Sequence, residues 1–229
     1  MIQMYRFYVQ PQQNVYTRSL IGYEMLFRKY DRNGWHLPQD FASIPLEEQI
    51  NLLKKVGTDL KLKVESLSFN LNREQFTSQT MTNILIETQK QIYPATLIVE
   101  LTEDQGNQNI RIEEIKQYAK QYLKYGIELS IDDVSSGDNT YEKIAPLLDI
   151  ASEIKFPMQN LRSEHRASEI PGQLLFWRKI TQNFGLRLIV EGVESVVDDE
   201  LLNELDLPLR QGYFYEKPHL FRLIGDPKL

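Results

Sequence analysis

The chain contains no cysteine. Disulfides, thiolate metal sites and a cysteine nucleophile are therefore excluded together, and the composition agrees with a reducing compartment. Histidine is scarce, with only His36, His165 and His219. No apolar run reaches the roughly 18 residues that mark a membrane span. The opening "MIQMYRFYVQPQQ" lacks the charged-then-apolar pattern of a secretion signal, so cytoplasm is the expected location. Basic charge is not in excess: 26 Lys and Arg against 32 Asp and Glu give a formal net charge of −6. That argues against a protein that coats a nucleic-acid polymer, and a small phosphate ligand would need cations to mediate. Linkers, low-complexity tracts and short-period repeats are missing too.

What is present is ordinary for a folded, water-soluble protein, with 41% hydrophobic and 25% charged residues. A chain of 229 residues is long enough to bury a sizeable core, and one domain over 1–229 is expected. Eight short apolar runs read as strands: 5–10, 20–26, 66–71, 96–101, 127–133, 153–156, 187–193 and 209–215. Most intervals after the second run can hold a helix. In "RIEEIKQYAKQYLKYG", Ile112, Ile115, Tyr118, Ala119 and Tyr122 share one 3.6-period face and Gly126 supplies the stop. Alternating strands and helices predict an α/β fold, and eight strands suggest a single closed (β/α)8 TIM-like barrel. The first connection, "PQQNVYTRS", is too short for a parallel crossover, so the first strand should be antiparallel to the second.

Six of these runs carry a polar residue at or near the C-terminal end: Glu24, Asn70, Glu100, Asp132 with Asp133, Lys155 and Glu191. In a barrel those ends converge on one mouth, where catalytic groups are built. Any one of them alone reads as a solvated end or a helix cap. Asp132 and Asp133 are adjacent anions at the end of an apolar run, which repel each other and resist desolvation. Bound cations would offset that cost. A carboxylate set with one Asn and neither His nor Cys suits Mg²⁺ or Mn²⁺ better than zinc, and two such ions could activate water and stabilise an in-line phosphoryl displacement.

With these residues in view, the sequence resembles the EAL family of cyclic di-GMP phosphodiesterases over almost its whole length. "GYEMLFR" is similar to the name-giving motif, with Met25 in place of Ala. "YVQP", "FNLN", "ELTE", "IDD", "EIK", "VEGVE" and "RQGYFYEKP" follow in the family's order. The resemblance implies that Glu24, Asn70, Glu100, Asp132 and Glu191 ligate one or both of two metals, with Asp133 on the second and orienting the nucleophilic water. It implies that Lys155 is the catalytic lysine, that Glu191 is a candidate general base and that Glu194 steadies the lysine-and-water network. Arg28 would grip a substrate phosphate, Gln10, Leu26 and Gln211 would touch the ligand, and Glu103 would steady the loop after 96–101. Tyr213, Phe214 and Tyr215 read as packing residues rather than a base-stacking platform. The implied partner is cyclic di-GMP, in a bacterial second-messenger setting, and a homodimer of the family's kind is left open.

The chain also departs from the family pattern. Val134, Ser135 and Ser136 replace Phe-Gly-Thr after the aspartate pair, Gly137 is kept, and Asp138 replaces an aromatic residue. Pro157 stands where an Asp is usual, and Glu216 where a glycine is. The leading expectation is hydrolysis of cyclic di-GMP to linear pGpG. The alternatives are a receptor that binds the same nucleotide without cutting it, or a protein-interaction module.

Overall fold

The computed structural model describes residues 4–32, 34–38, 44–102, 110–137, 139–223 and 226. Glu103 and Asp138 lie outside the described residues. The chain opens with a hairpin of β1 (Met4–Asn14) and β2 (Ser19–Asp31), followed by a short β3 (Gly34–His36). The Asn14 side chain accepts from the backbone N–H groups of Tyr16 and Thr17 at 3.0 and 3.2 Å, an Asx-type turn that reverses the chain.

Beyond the hairpin, helices and strands alternate. In chain order they are α1 (Leu46–Leu60), β4 (Ser66–Leu71), α2 (Arg73–Phe76), α3 (Gln79–Ile92), β5 (Thr96–Leu101) and α4 (Ile112–Leu123). Next come β6 (Glu128–Ile131), α5 (Tyr141–Ile144), β7 (Glu153–Pro157), α6 (Met158–Ser163) and α7 (Ile170–Phe184). β8 (Arg187–Glu191), α8 (Val196–Glu204), β9 (Leu209–Arg210) and β10 (His219–Leu220) complete the order. Helix α4 buries Ile115, Ala119 and Tyr122 on the expected face, and Gly126 takes φ +76°, the left-handed conformation that ends a helix without a Cβ clash.

β1 pairs antiparallel with β2, and β2 pairs parallel with β4. The parallel ladder continues in chain order to β9. β9 then closes on β1, antiparallel, through Gln13↔Arg210 and Asn14↔Leu209. The result is a closed eight-stranded barrel with one reversed strand, as the short first connection requires. β3 and β10 are edge additions to β2 and β1 that the sequence pattern did not reveal.

Three expected strands are shorter in the structure. The run 127–133 ends at Ile131, 187–193 ends at Glu191, and 209–215 is strand only over Leu209–Arg210. In the last case the cause is a close approach. A Cβ on Gly212 would sit 2.2 Å from the Val193 carbonyl oxygen, so the chain leaves the ladder and turns to the mouth. Tyr213 and Phe214, expected to pack, are consequently 57% and 42% exposed. Tyr215 does pack, and donates to Asp199.

Outside the barrel wall, Phe7 is fully buried with its ring centroid 4.2 Å from Phe27 and 6.2 Å from Phe69. This cluster ties the reversed strand to β2 and β4. Phe7→Ala is expected to cost about 3–5 kcal/mol in urea unfolding, and a loss under about 1 kcal/mol would show that the cluster is not a packed centre.

Candidate active site

Lys155 has no exposed surface, and its ammonium group lies among four carboxylates. Nζ is 2.5 Å from Glu191 Oε1, 3.0 Å from Glu100 Oε1, 3.4 Å from Glu24 Oε2 and 3.9 Å from Asp132 Oδ1. These residues come from β7, β8, β5, β2 and the turn after β6. Barrel closure is what brings them together. Glu24 sits in the middle of β2 rather than at its end, because β2 runs on past the mouth to pair with β3.

A hydrogen-bonded chain fixes the other side of the mouth. Asn70 Nδ2 donates to Glu24 Oε1 at 3.2 Å, Gln211 Nε2 donates to Glu24 Oε2 at 2.5 Å, and the same amide reaches Gln10 Oε1 at 3.2 Å. Glu24 is thus held by two amides, and Gln10 steadies one of them. Beside it, the Asp133 N–H donates to Asp132 Oδ1 at 2.9 Å, while the Asn139 amide binds the Asp132 carbonyl. Asp133 has φ +50°, a strained conformation for a residue with a Cβ. Its Oδ1 accepts from Asn160 Nδ2 at 2.9 Å.

One carboxylate oxygen each from Asp132, Asp133 and Glu191 lies within 4.8 Å of the others. At that spacing two carboxylates repel by about 3–4 kcal/mol for an effective dielectric near 20. Burial pushes Glu100 and Glu191 well above the usual carboxylate range, with neighbouring carboxylates adding to the effect and Lys155 opposing it. Burial raises Asp132 as well. Burial acts upward on Glu24 too, but the charge of Lys155 and the hydrogen bonds from Gln211 and Asn70 outweigh it and hold this carboxyl low. For Lys155 itself burial opposes the charged form, and the four carboxylates overcome it, keeping the ammonium protonated far into the alkaline range.

The donor set fits hard divalent cations. It is made of oxygens alone, and both oxygens of Glu100 and Oε1 of Glu191 are buried without a hydrogen-bond partner, although the Lys155 ammonium is near them. Ions binding here would supply the missing positive partners. Glu24, Asp132, Asp133 and Glu191 line a cleft of about 340 Å³ with Gln10, Leu26, Gln211 and Tyr213.

Arg28 lies on the wall of an adjoining cleft of about 310 Å³, with Leu26, Asn70 and Asn72. Its guanidinium donates to the Phe27 carbonyl at 2.8 Å and stacks 5.4 Å from the Tyr8 ring. Among the described residues no carboxylate forms an ion pair with it, as one does with Arg6, Arg162 and Arg187. Glu194 lines the main cleft, yet its carboxylate lies 3.7 Å from Arg162 rather than against Lys155. Asn139 and Asn160 escaped notice in the sequence, since a single amide on a loop or a short helix has no periodicity or motif to mark it. His36 and His219 pair with Asp31 and Glu216 at 3.0 and 2.8 Å, and neither lines the cleft.

The raised carboxyls make a definite pH dependence. A carboxyl whose folded pKa lies above its unfolded value favours the folded state at low pH and ceases to do so as pH rises through the folded value. Glu100, Glu191 and Asp132 all shift that way. The cation-free protein should therefore lose stability as pH rises above the ordinary carboxylate range, while saturating Mn²⁺ flattens the profile. Thermal unfolding with EDTA and with Mn²⁺ reads both, and parallel profiles would contradict the electrostatic account.

The EAL domain family model matches residues 3–218. Signaling protein YkoW of Bacillus subtilis (strain 168) is 25% identical over 230 aligned residues, covering 91% of this chain and 27% of that protein. Cyclic di-GMP phosphodiesterase RocR of Pseudomonas aeruginosa is 24% identical over 229, covering 92% and 56%. The chain thus spans about a quarter to a half of these relatives. Among solved structures, the Bacillus subtilis YkuI protein, in complex with substrate c-di-GMP and calcium, superposes with a TM-score of 0.77 at 18% identity, covering 96% of this chain and 57% of that one. Among the described residues no helix is long and apolar enough to cross a membrane. From the family match over nearly all of its length, the chain belongs to the EAL domain family.

Proposed function

We propose that this domain hydrolyses cyclic di-GMP to linear pGpG with two divalent cations, Mg²⁺ or Mn²⁺, at the barrel mouth. The observation that carries the reading is the ammonium of Lys155 enclosed by Glu24, Glu100, Asp132 and Glu191, next to a guanidinium with no acidic partner among the described residues. The relatives and neighbours support the substrate: RocR is named a cyclic di-GMP phosphodiesterase, and YkuI carries c-di-GMP with calcium.

Glu24, Asn70, Glu100, Asp132, Asp133 and Glu191 would hold the cations, which when bound supply Lewis acidity and a nucleophile at neutral pH. Arg28 offers a planar fork for a phosphate oxygen. Gln10, Leu26 and Gln211 line the cleft beside it and orient the nucleotide. During attack on phosphorus the P–O3′ bond breaks and negative charge grows on the non-bridging oxygens; the Lys155 ammonium, fully buried behind the cleft lining, stabilises that charge through the field it sets at the mouth rather than by touching the phosphate. Glu191 takes the proton that water loses, and the departing oxygen is protonated from solvent. Glu194 acts at a remove, through its contact with Arg162.

Incubating the protein with cyclic di-GMP and Mn²⁺, then resolving products, tests the reaction. Lys155→Ala should lower kcat about 10²–10³-fold, the usual loss for one stabilising donor, and Glu24→Ala should abolish metal-dependent turnover. Tight nucleotide binding with no linear product under either cation would instead assign a receptor, the role that the altered loop Val134–Gly137 leaves as second choice. Arg28→Ala should raise KM by about tenfold or more, the cost of one charge-assisted hydrogen bond, with a smaller change in kcat. An unchanged KM would remove Arg28 from the phosphate site.

A further inference from the structure

Parallel barrels usually fill their interior with branched apolar side chains. Here the layer under the mouth is partly polar. Side chains alternate along a strand, so each mouth residue has an inward neighbour two positions deeper. Gln12 lies below Gln10 on the reversed β1, Ser68 below Asn70, Ser130 two positions before Asp132, and Glu153 below Lys155. Register supports the placement, because Ser130 pairs with Glu100 on one side and with Glu153 on the other, and Ser68 pairs with Glu24.

All four are sealed from solvent, at 0% exposure for Gln12, Ser68 and Ser130 and 1% for Glu153. Their polar atoms are left over. Both amide atoms of Gln12, the Ser68 hydroxyl and Oε1 of Glu153 have no well-formed hydrogen bond in the protein, nor has the Ser130 hydroxyl, although it lies close enough to the Glu153 carboxyl to lower its proton affinity. Glu153 Oε2 is engaged by Arg187 Nε at 3.1 Å, and Arg187 is itself shared with Glu128. The second carboxylate oxygen is thereby free for the interior. Buried polar groups in native proteins are almost always satisfied, and where side chains do not meet, ordered water supplies the bonds. Five unpartnered atoms on four strands of one barrel form a site of that kind, with donors and acceptors of both signs. The set carries one carboxylate already balanced by Arg187, so it suits neutral water better than a further ion.

We propose that the barrel interior directly beneath the acidic mouth is a closed hydration site, in which water bridges Gln12, Ser68, Ser130 and Glu153, and that Glu153 positions Lys155 from below through it. The ammonium then rests among four carboxylates with a hydrogen-bonded floor beneath, which fixes where its proton donors point. The inference rests on burial and register and holds whether or not the domain cuts its nucleotide.

A crystal structure of the full chain near 1.5 Å or better tests it first. Ordered water within hydrogen-bond distance of Ser68 Oγ, Ser130 Oγ and Glu153 Oε1 is the expected result. A dry layer, side chains repacked onto one another, or a sodium or potassium ion in that place would overturn it. The second measurement is Mn²⁺ binding by calorimetry on Ser68→Val/Ser130→Val, which fills the layer with methyl groups, beside Ser68→Thr/Ser130→Thr, which keeps the hydroxyls. The valine pair should weaken Mn²⁺ binding about 10–100-fold, as loss of outer-shell support does, and the threonine pair should recover most of it. Equal affinity in wild type and the valine pair, or equal loss in both variants, would refute the positioning role. Neither readout needs turnover, so failure here and failure of the phosphodiesterase reading are separately visible.

Discussion

A single buried ammonium organises the mouth of this barrel. Lys155 could not remain charged at zero exposure without anions around it, and Glu24, Glu100, Asp132 and Glu191 could not be crowded together without a cation among them. The compensation is incomplete. Four carboxylates around one lysine, with Asp133 a fifth beside them, leave the site strongly negative, which is why burial and mutual repulsion raise Glu100 and Glu191. A domain that keeps such an arrangement is built to take up further positive charge. The fold permits it because five strands from distant parts of the sequence bring these side chains to one place.

The side chains around this cluster divide the work of holding it. Gln211 leaves β9 and reaches across to Glu24 and Gln10, so the last barrel strand and the reversed first strand are coupled at the site as well as in the sheet. Arg210, the residue before, is fully buried and grips the Leu207 carbonyl, Asp199 and Asn203, which anchors β9 to α8. The short strand therefore has a firm position although it contributes only two residues to the ladder. Hydrophobic packing sets the wall, and these polar clamps set the aim of the carboxylates at the mouth.

Much of this was legible beforehand, for physical reasons. Strands such as "SLSFNL" and "TLIVEL" match the structure residue for residue, because runs buried on both faces of a barrel are nearly continuous in apolar character. The reversed first strand followed from connection length alone. The polar ends Asn70, Glu100, Asp132, Lys155 and Glu191 stood out because charge at the end of such a run has few inexpensive explanations. Short elements were not legible: β3 and β10 exist only because β2 and β1 offer free edges, a tertiary fact. Asn139 and Asn160 act through one hydrogen bond each, and Arg210 through burial that nothing local announces. Tyr213 was misread as packing since the close approach of Gly212 to Val193, which swings it to the mouth, joins segments about twenty residues apart.

The departures in the loop and at Pro157 bear on the same electrostatics. Pro157 closes β7 and precedes the first turn of α6, and having no carboxylate it contributes no charge to the mouth. The helix it starts brings Asn160 against Asp133, so a neutral amide steadies that carboxylate from this side. An amide donor and a carboxylate ligand act oppositely on a cation held by Asp133: the first withdraws electron density from it, the second adds charge to the site. The mouth is thereby less negative than the family pattern implies. The altered loop is nonetheless anchored, because the Trp177 indole donates to the Ser135 hydroxyl at 2.6 Å and that hydroxyl donates to Gln173 at 2.9 Å. Ser135, at φ +68°, is thus held in its strained conformation by α7. The Ser136 N–H donates to the Asp133 carbonyl at 3.2 Å, so the turn that carries the second aspartate is tied to Trp177 through Ser135, one of the residues that have changed.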